Sequence, residues 1–145
     1  MKILVDADAC PVVEKIESVA KKYNVSVVLF SDTCHQMSSD YSEIRTVDKG
    51  PDSVDFAILK ECNKGDVVVT GDYGLAAMVL GKQGKAIHHC GREYTSDNID
   101  GLLLDRYIAK KERFKQKRRV KSTRREKVEG GFINNLERII KNKQL

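Results

Sequence analysis

The chain has no tryptophan, and its four phenylalanines and five tyrosines make up only 6% of 145 residues. An extended base-stacking platform is therefore not expected. No apolar run approaches the ~20 residues needed to span a bilayer, and the first residues lack the basic, apolar and small-residue succession of a secretory signal. The expectation is a cytoplasmic protein with no membrane partner. Cys10, Cys34, Cys62 and Cys90 are far apart and form no CxxC pair, which argues against a zinc knuckle or dithiol redox site. Cytosolic thiols of this kind stay reduced, and Cys62 reads as core. No Ser-His or Cys-His dyad stands out as an activated nucleophile, and there is no internal repeat.

What is present suits one compact domain: 41% hydrophobic and 32% charged residues over a length that can bury a core. Strand and helix patterns alternate. Ile3-Leu4-Val5 reads as a strand in a covered sheet. Val12, Val13, Ile16, Val19, Ala20 and Tyr23 then share one helical face, with Pro11 in the first turn. Further strands are predicted at Val25–Phe30, Ile44–Val47, Asp66–Thr70 and Lys85–His88. Helices are predicted at Ser53–Asn63, from Tyr73, and from about Thr95. This alternation predicts an α/β fold with a mostly parallel sheet. The predicted organisation is an α/β domain over residues 1–109, a basic segment over 110–127, and a helix within 128–145 that docks on the domain.

The charge is segregated. Lys110 to Lys127 carries eleven Lys or Arg against Glu112 and Glu126, a net charge of +9. The whole chain is +5, which leaves −4 for the other 127 residues. Such a run suits a polyanionic partner; a solvated linker is the alternative.

The stretch "ILVDADACPVVEKI" ends a buried-looking run in two carboxylates, Asp6 and Asp8. If both continue the period-two geometry they point the same way, and repelling acids are commonly neutralised by a metal ion or a proton. In open parallel sheets ligands bind beyond the carboxyl ends of the strands, where the strand order reverses. Asp72 ends the fourth strand, and Asp52 and Asp55 head the second helix. If strands one and four are neighbours, these acids collect at one edge as an oxygen-only set suited to Mg²⁺ or Mn²⁺. Such a centre suits in-line displacement at phosphorus. Simpler roles exist for each acid: Asp8 and Asp72 as helix caps, and Asp52 and Asp55 as acids suited to a helix N-terminus.

Together "VDADACPV", "GPDSVDFAI", "VVTGDYGLAA" and "CGREYT" resemble the YaiI/YqxD family of uncharacterised bacterial proteins, which is grouped with PIN-like nuclease domains. The resemblance covers nearly the whole chain and is most specific over residues 1–95. It departs at Tyr73-Gly74, where related sequences tend to carry proline. It implies a single-domain PIN-like fold with a parallel five-stranded sheet in the order 3-2-1-4-5. It also implies that Asp6, Asp55 and Asp72, with Asp8 and Asp52 close by, hold divalent metal. That order puts two strands between strands two and five, a separation of about 14 Å. Cys34-His35 and His88-His89-Cys90 would then not meet as a zinc site.

The function expected is an Mg²⁺- or Mn²⁺-dependent nuclease acting on RNA. Asp6, Asp8, Asp55 and Asp72 would be catalytic, with Asp52 as a further metal ligand. Arg92, Lys117, Arg118, Arg119 and Lys121 would bind substrate. Two alternatives stand beside it. Haloacid-dehalogenase phosphatases also place DxD at a strand end, and Ser31 passes for their second-strand serine. Against them, Pro11 leaves no room for a flap and no second acid follows Asp72. The other alternative is a non-catalytic RNA-binding module with a degenerate metal site.

Overall fold

Ile3, Leu4 and Val5 are fully buried because strand β1 (Lys2–Asp6) runs through the middle of a sheet covered on both faces. The computed structural model describes residues 1–32, 38–50, 52–104, 108 and 131–144. Cys34, His35 and the basic segment 110–127 lie outside the described residues.

β1 pairs in parallel with β2 (Ser26–Asp32) on one side and with β4 (Val67–Val69) on the other. β3 (Glu43–Val47) lies beyond β2, and β5 (Lys85–Ile87) beyond β4, both again parallel. The order of these five strands is the expected one. The sheet is nevertheless not the parallel five-stranded one expected. A sixth strand, β6 (Glu93–Tyr94), pairs antiparallel with β5, so the sheet is mixed, in the order β3-β2-β1-β4-β5-β6. Two residues are too few to display a period-two pattern, so this strand leaves no trace in the sequence. The reversal into it passes through Gly91, whose φ of 104° suits glycine.

Strand alternation sends Ile3, Val5, Leu29 and Val69 to one face, beneath α1 (Val13–Tyr23) and α5 (Gly131–Gln144). Leu4, Val28, Phe30 and Val68 face the other way, beneath α2 (Ser53–Glu61), α3 (Tyr73–Gly81) and α4 (residues 96–104). α1 buries Ile16, Val19 and Ala20 on one stripe and stops at Asn24, which takes the left-handed conformation at φ 56°. α4 opens on a reciprocal cap: the Thr95 N–H donates to Asn98 Oδ1 (2.9 Å) and the Asn98 N–H to Thr95 Oγ1 (3.3 Å). α5 buries Phe132, Leu136, Ile139 and Ile140, and each such side chain contributes about 1.5–3 kcal/mol. The Tyr23 hydroxyl, donating to Glu137 at 3.3 Å, joins α1 to α5.

The chain leaves β1 for β2 on one side, while β4 and β5 build outward on the other. The reversal of strand order therefore falls between β1 and β4, and the carboxyl ends of those two strands adjoin.

Candidate functional site at the β1 and β4 strand ends

Asp6 is the last residue of β1, and Thr70 immediately follows β4. The Thr70 hydroxyl donates to Asp6 Oδ2 at 3.3 Å and accepts the Asp72 N–H at 3.0 Å. One side chain thereby ties together the acids of two strands. Asp72 is the N-cap of α3, with Oδ1 accepting from the N–H groups of Gly74 (2.8 Å) and Leu75 (3.2 Å). Asp55, in the first turn of α2, lies within the field of Asp72 and Asp6. Burial, reinforced by the charges of Asp72, Asp6 and Asp52, pushes the Asp55 pKa up to about 6. Asp6 is raised as well, chiefly by burial. The Thr70 hydrogen bond opposes that rise, while the charges of Asp8 and Asp72 add to it.

The other predicted acids are placed differently. Asp8 lies in a short 3-10 turn (Ala7–Ala9), and its Oδ2 accepts the Asp32 N–H at 3.0 Å. It braces the end of β2 against the turn that follows β1. Asp52 is exposed and left-handed at φ 60°, and it makes no side-chain cap bond. It reaches the group through its charge. Arg92 is exposed in the turn between β5 and β6, where its charge acts on the Tyr94 hydroxyl. Lys117, Arg118, Arg119 and Lys121 lie outside the described residues. Ser31 is fully buried.

Sequence reasoning missed a second wall. The His88 and His89 rings stack at 4.0 Å between centroids and lie against exposed Gly71, between Thr70 and Asp72. A Cβ on Gly71 would stand 3.6 Å from both His88 Nε2 and His89 Cε1. The Cys90 N–H donates to His88 Nδ1 at 3.0 Å, so the proton of the neutral ring is assigned to Nε2. Behind them Tyr94 is buried, donates its hydroxyl to the Thr70 carbonyl (3.3 Å) and packs edge-on to Tyr73. Burial, then the neighbouring Tyr73, pushes its phenol upward, so it stays a protonated donor. The only sequence signal for this wall was "IHHCGREYT", and it becomes readable once a strand is placed at Glu93–Tyr94.

The donors are oxygens only, which fits a hard divalent cation. Among the described residues, however, no three His, Cys, Asp or Glu side chains converge into a finished coordination shell. The acids share an edge and a field.

The raised Asp55 pKa has a measurable consequence. An acid whose pKa is raised on folding stabilises the fold fully below its ordinary pKa of 3.8, and this stability is lost as pH rises through the folded value near 6. The melting temperature of the metal-free protein is expected to fall between pH 4.5 and 7. Asp55→Asn should lack this step and melt higher than wild type at pH 7. Melting curves across that range decide the matter; identical pH profiles for the two proteins would contradict the raised Asp55 pKa.

The profile of the uncharacterised YaiI/YqxD family matches residues 4–142. The chain belongs to the YaiI/YqxD family. Among its relatives, a UPF0178 protein of Lachnoclostridium phytofermentans is 48% identical over 145 residues, 97% of each chain. One from Clostridium acetobutylicum is 55% identical over 113 residues, covering 78% of this chain and 76% of the relative. One from Natranaerobius thermophilus is 46% identical over 141 residues, covering 97% and 96%. No solved structure matches the chain significantly. The family resemblance drawn from the four sequence motifs therefore holds. No helix among the described residues is long and apolar enough to cross a membrane.

Proposed function

We propose that this YaiI/YqxD-family protein is a PIN-like, Mg²⁺- or Mn²⁺-dependent nuclease acting on RNA. One observation carries the proposal. Asp6, Asp55 and Asp72 come from three separate segments to the reversal point of the sheet, where the charges of Asp72 and Asp6 raise the proton affinity of Asp55 and the charge of Asp72 raises that of Asp6. Acids that repel one another in this way favour a neutralising partner, and a divalent cation is one. When bound, the ion would activate a water and offset charge on the phosphoryl oxygens.

Asp6, Asp55 and Asp72 would hold it, with Asp8 and Asp52 contributing charge close by. Thr70 fixes Asp6, and the α3 cap fixes Asp72. The RNA partner is supported by the segregated cations of Lys110–Lys127, which precede α5 in the chain. That helix begins at Gly131, packed against Gly91 in the histidine turn beside the acids.

The direct test combines calorimetric titration of Mn²⁺ with cleavage of end-labelled single-stranded RNA by the full chain. Mn²⁺ binding and Mn²⁺-dependent products are expected. The absence of both binding and cleavage at millimolar metal would overturn the proposal.

The basic segment has a separate test. If its cations pair with phosphates, each pairing releases condensed counterions. Replacing Lys117, Arg118, Arg119 and Lys121 by Gln should weaken RNA binding at low salt. It should also flatten the log–log salt slope by about 0.7 for each single-strand phosphate that is no longer neutralised. Mn²⁺ affinity should stay unchanged. An unaltered slope would return the segment to the role of a solvated linker.

A further inference from the structure

The turn after β5 holds the half-buried His88 ring in one place. The His88 N–H donates to the Arg92 carbonyl at 2.8 Å, and its carbonyl accepts the Gly91 N–H at 2.9 Å. Its Nδ1 accepts the Cys90 N–H, and the ring stacks on His89 and stands edge-on to Tyr94, 6.3 Å between centroids. With Nδ1 an acceptor, the neutral ring carries its proton on Nε2. That nitrogen lies 3.6 Å from where a Cβ on Gly71 would stand. Gly71 joins the residues that organise the acids: Thr70, whose hydroxyl donates to Asp6, and Asp72, the α3 cap. Its backbone lies outside the left-handed region and a Cβ would meet only ordinary contacts, so neither conformation nor packing demands glycine. A glycine without those reasons suits a place that a ligand approaches closely.

We infer that His88 Nε2–H, across Gly71, donates a hydrogen bond to a phosphoryl oxygen of the RNA backbone at the acidic edge; this rests on the nuclease proposal and names how the phosphate is held. A phosphate brought to Asp6, Asp55 and Asp72 meets like charge, which the divalent cation of that proposal offsets on the side of the acids. The opposite side calls for a donor already in position, since a preorganised N–H stabilises developing charge without reorganising. A neutral imidazole suits this better than a lysine, which would pair with the carboxylates and compete with the cation.

The chain has three histidines, so long-range proton–nitrogen NMR of the labelled full chain resolves each imidazole nitrogen. In Mg²⁺, which keeps the lines sharp, a nuclease-resistant phosphorothioate RNA oligomer should shift His88 Nε2. An uncharged peptide-backbone oligomer of the same bases should not, and neither should Mg²⁺ alone. Gly71→Ala should fold at least as stably as wild type and lose the response, because its methyl stands against Nε2. His88→Asn keeps an oxygen for the Cys90 N–H and removes the donor. Its kcat should fall about a hundredfold, with KM, Mn²⁺ affinity and melting temperature near wild type. His88→Gln, whose amide nitrogen reaches the Nε2 position, should stay within about tenfold of wild type.

A His88 signal unmoved by millimolar oligomer, or moved equally by the uncharged oligomer or by Mg²⁺ alone, overturns the donor. So does an unchanged response in Gly71→Ala. Equal losses in His88→Asn and His88→Gln, with both melting below wild type, mark a ring that only builds the turn and overturn it too. Cleavage by His88→Asn at the wild-type kcat removes the donor and leaves the nuclease proposal standing. A phosphate-dependent shift without any cleavage by wild type keeps the contact and removes the nuclease proposal.

Discussion

Replacing Asp6 or Asp72 by Asn is expected to lower Mn²⁺-dependent RNA cleavage by about a hundredfold or more. The substitution suits the site because it removes charge and keeps shape. Asn at position 72 still presents an oxygen to the N–H groups of Gly74 and Leu75, so α3 keeps its cap. Asn at position 6 still presents one to the Thr70 hydroxyl. Neither variant should melt below wild type without metal, since each relieves repulsion within the acid group. Asp8→Asn should lose less activity, because its carboxylate is engaged in holding the Asp32 N–H at the end of β2. Single-turnover cleavage with parallel melting curves separates the two roles. Full activity in Asp72→Asn would reduce that residue to its cap, and a lowered melting temperature in either variant would mark a structural role.

Gly91→Ala is expected to destabilise the protein by about 3 kcal/mol. At φ 104° an L side chain is already strained. The added Cβ would also come within 2.9 Å of Phe132 N and 3.0 Å of the Gly131 carbonyl carbon. Those are backbone atoms, which cannot rotate aside. Relief requires the histidine turn and the start of α5 to separate, which strains the Asn135 Nδ2 bond to the Gly91 carbonyl (2.6 Å) and the burial of Phe132. Gly101→Ala serves as the control: nothing lies within 4 Å of its Cβ position, and it stands inside α4. It should stabilise by about 0.5–1 kcal/mol. Urea unfolding of both variants checks the pair; equal midpoints would mean that the turn does not bear on α5.

The physical origin of these effects explains how far the sequence could be read. Runs such as Ile3–Val5 and Val67–Val69 announce strands, and the Ile16, Val19, Ala20 spacing announces a helix, because burial imprints a local period on neighbouring residues. Acids at strand ends were legible for the same reason: Asp6 and Asp72 terminate recognisable patterns. Cys62 as core was equally plain, and it is buried. What neighbouring residues do not encode is which distant partner each group meets. The Thr70 bond to Asp6 spans 64 positions, and the bond from Tyr94 to the Thr70 carbonyl spans 24.

The sequence by itself determined the α/β class, the five parallel strands and the presence of acids at their ends. Only the tertiary structure decided that Asp55 lies in the field of Asp6 and Asp72, that Asp8 serves as a brace, and that His88 and His89 border the site. It also decided the sixth strand, since two residues and one left-handed glycine carry no periodicity and become a strand only when β5 offers them hydrogen bonds. Periodicity is a property of one segment, whereas a site is made where segments far apart in the chain are held together by the packing of both sheet faces.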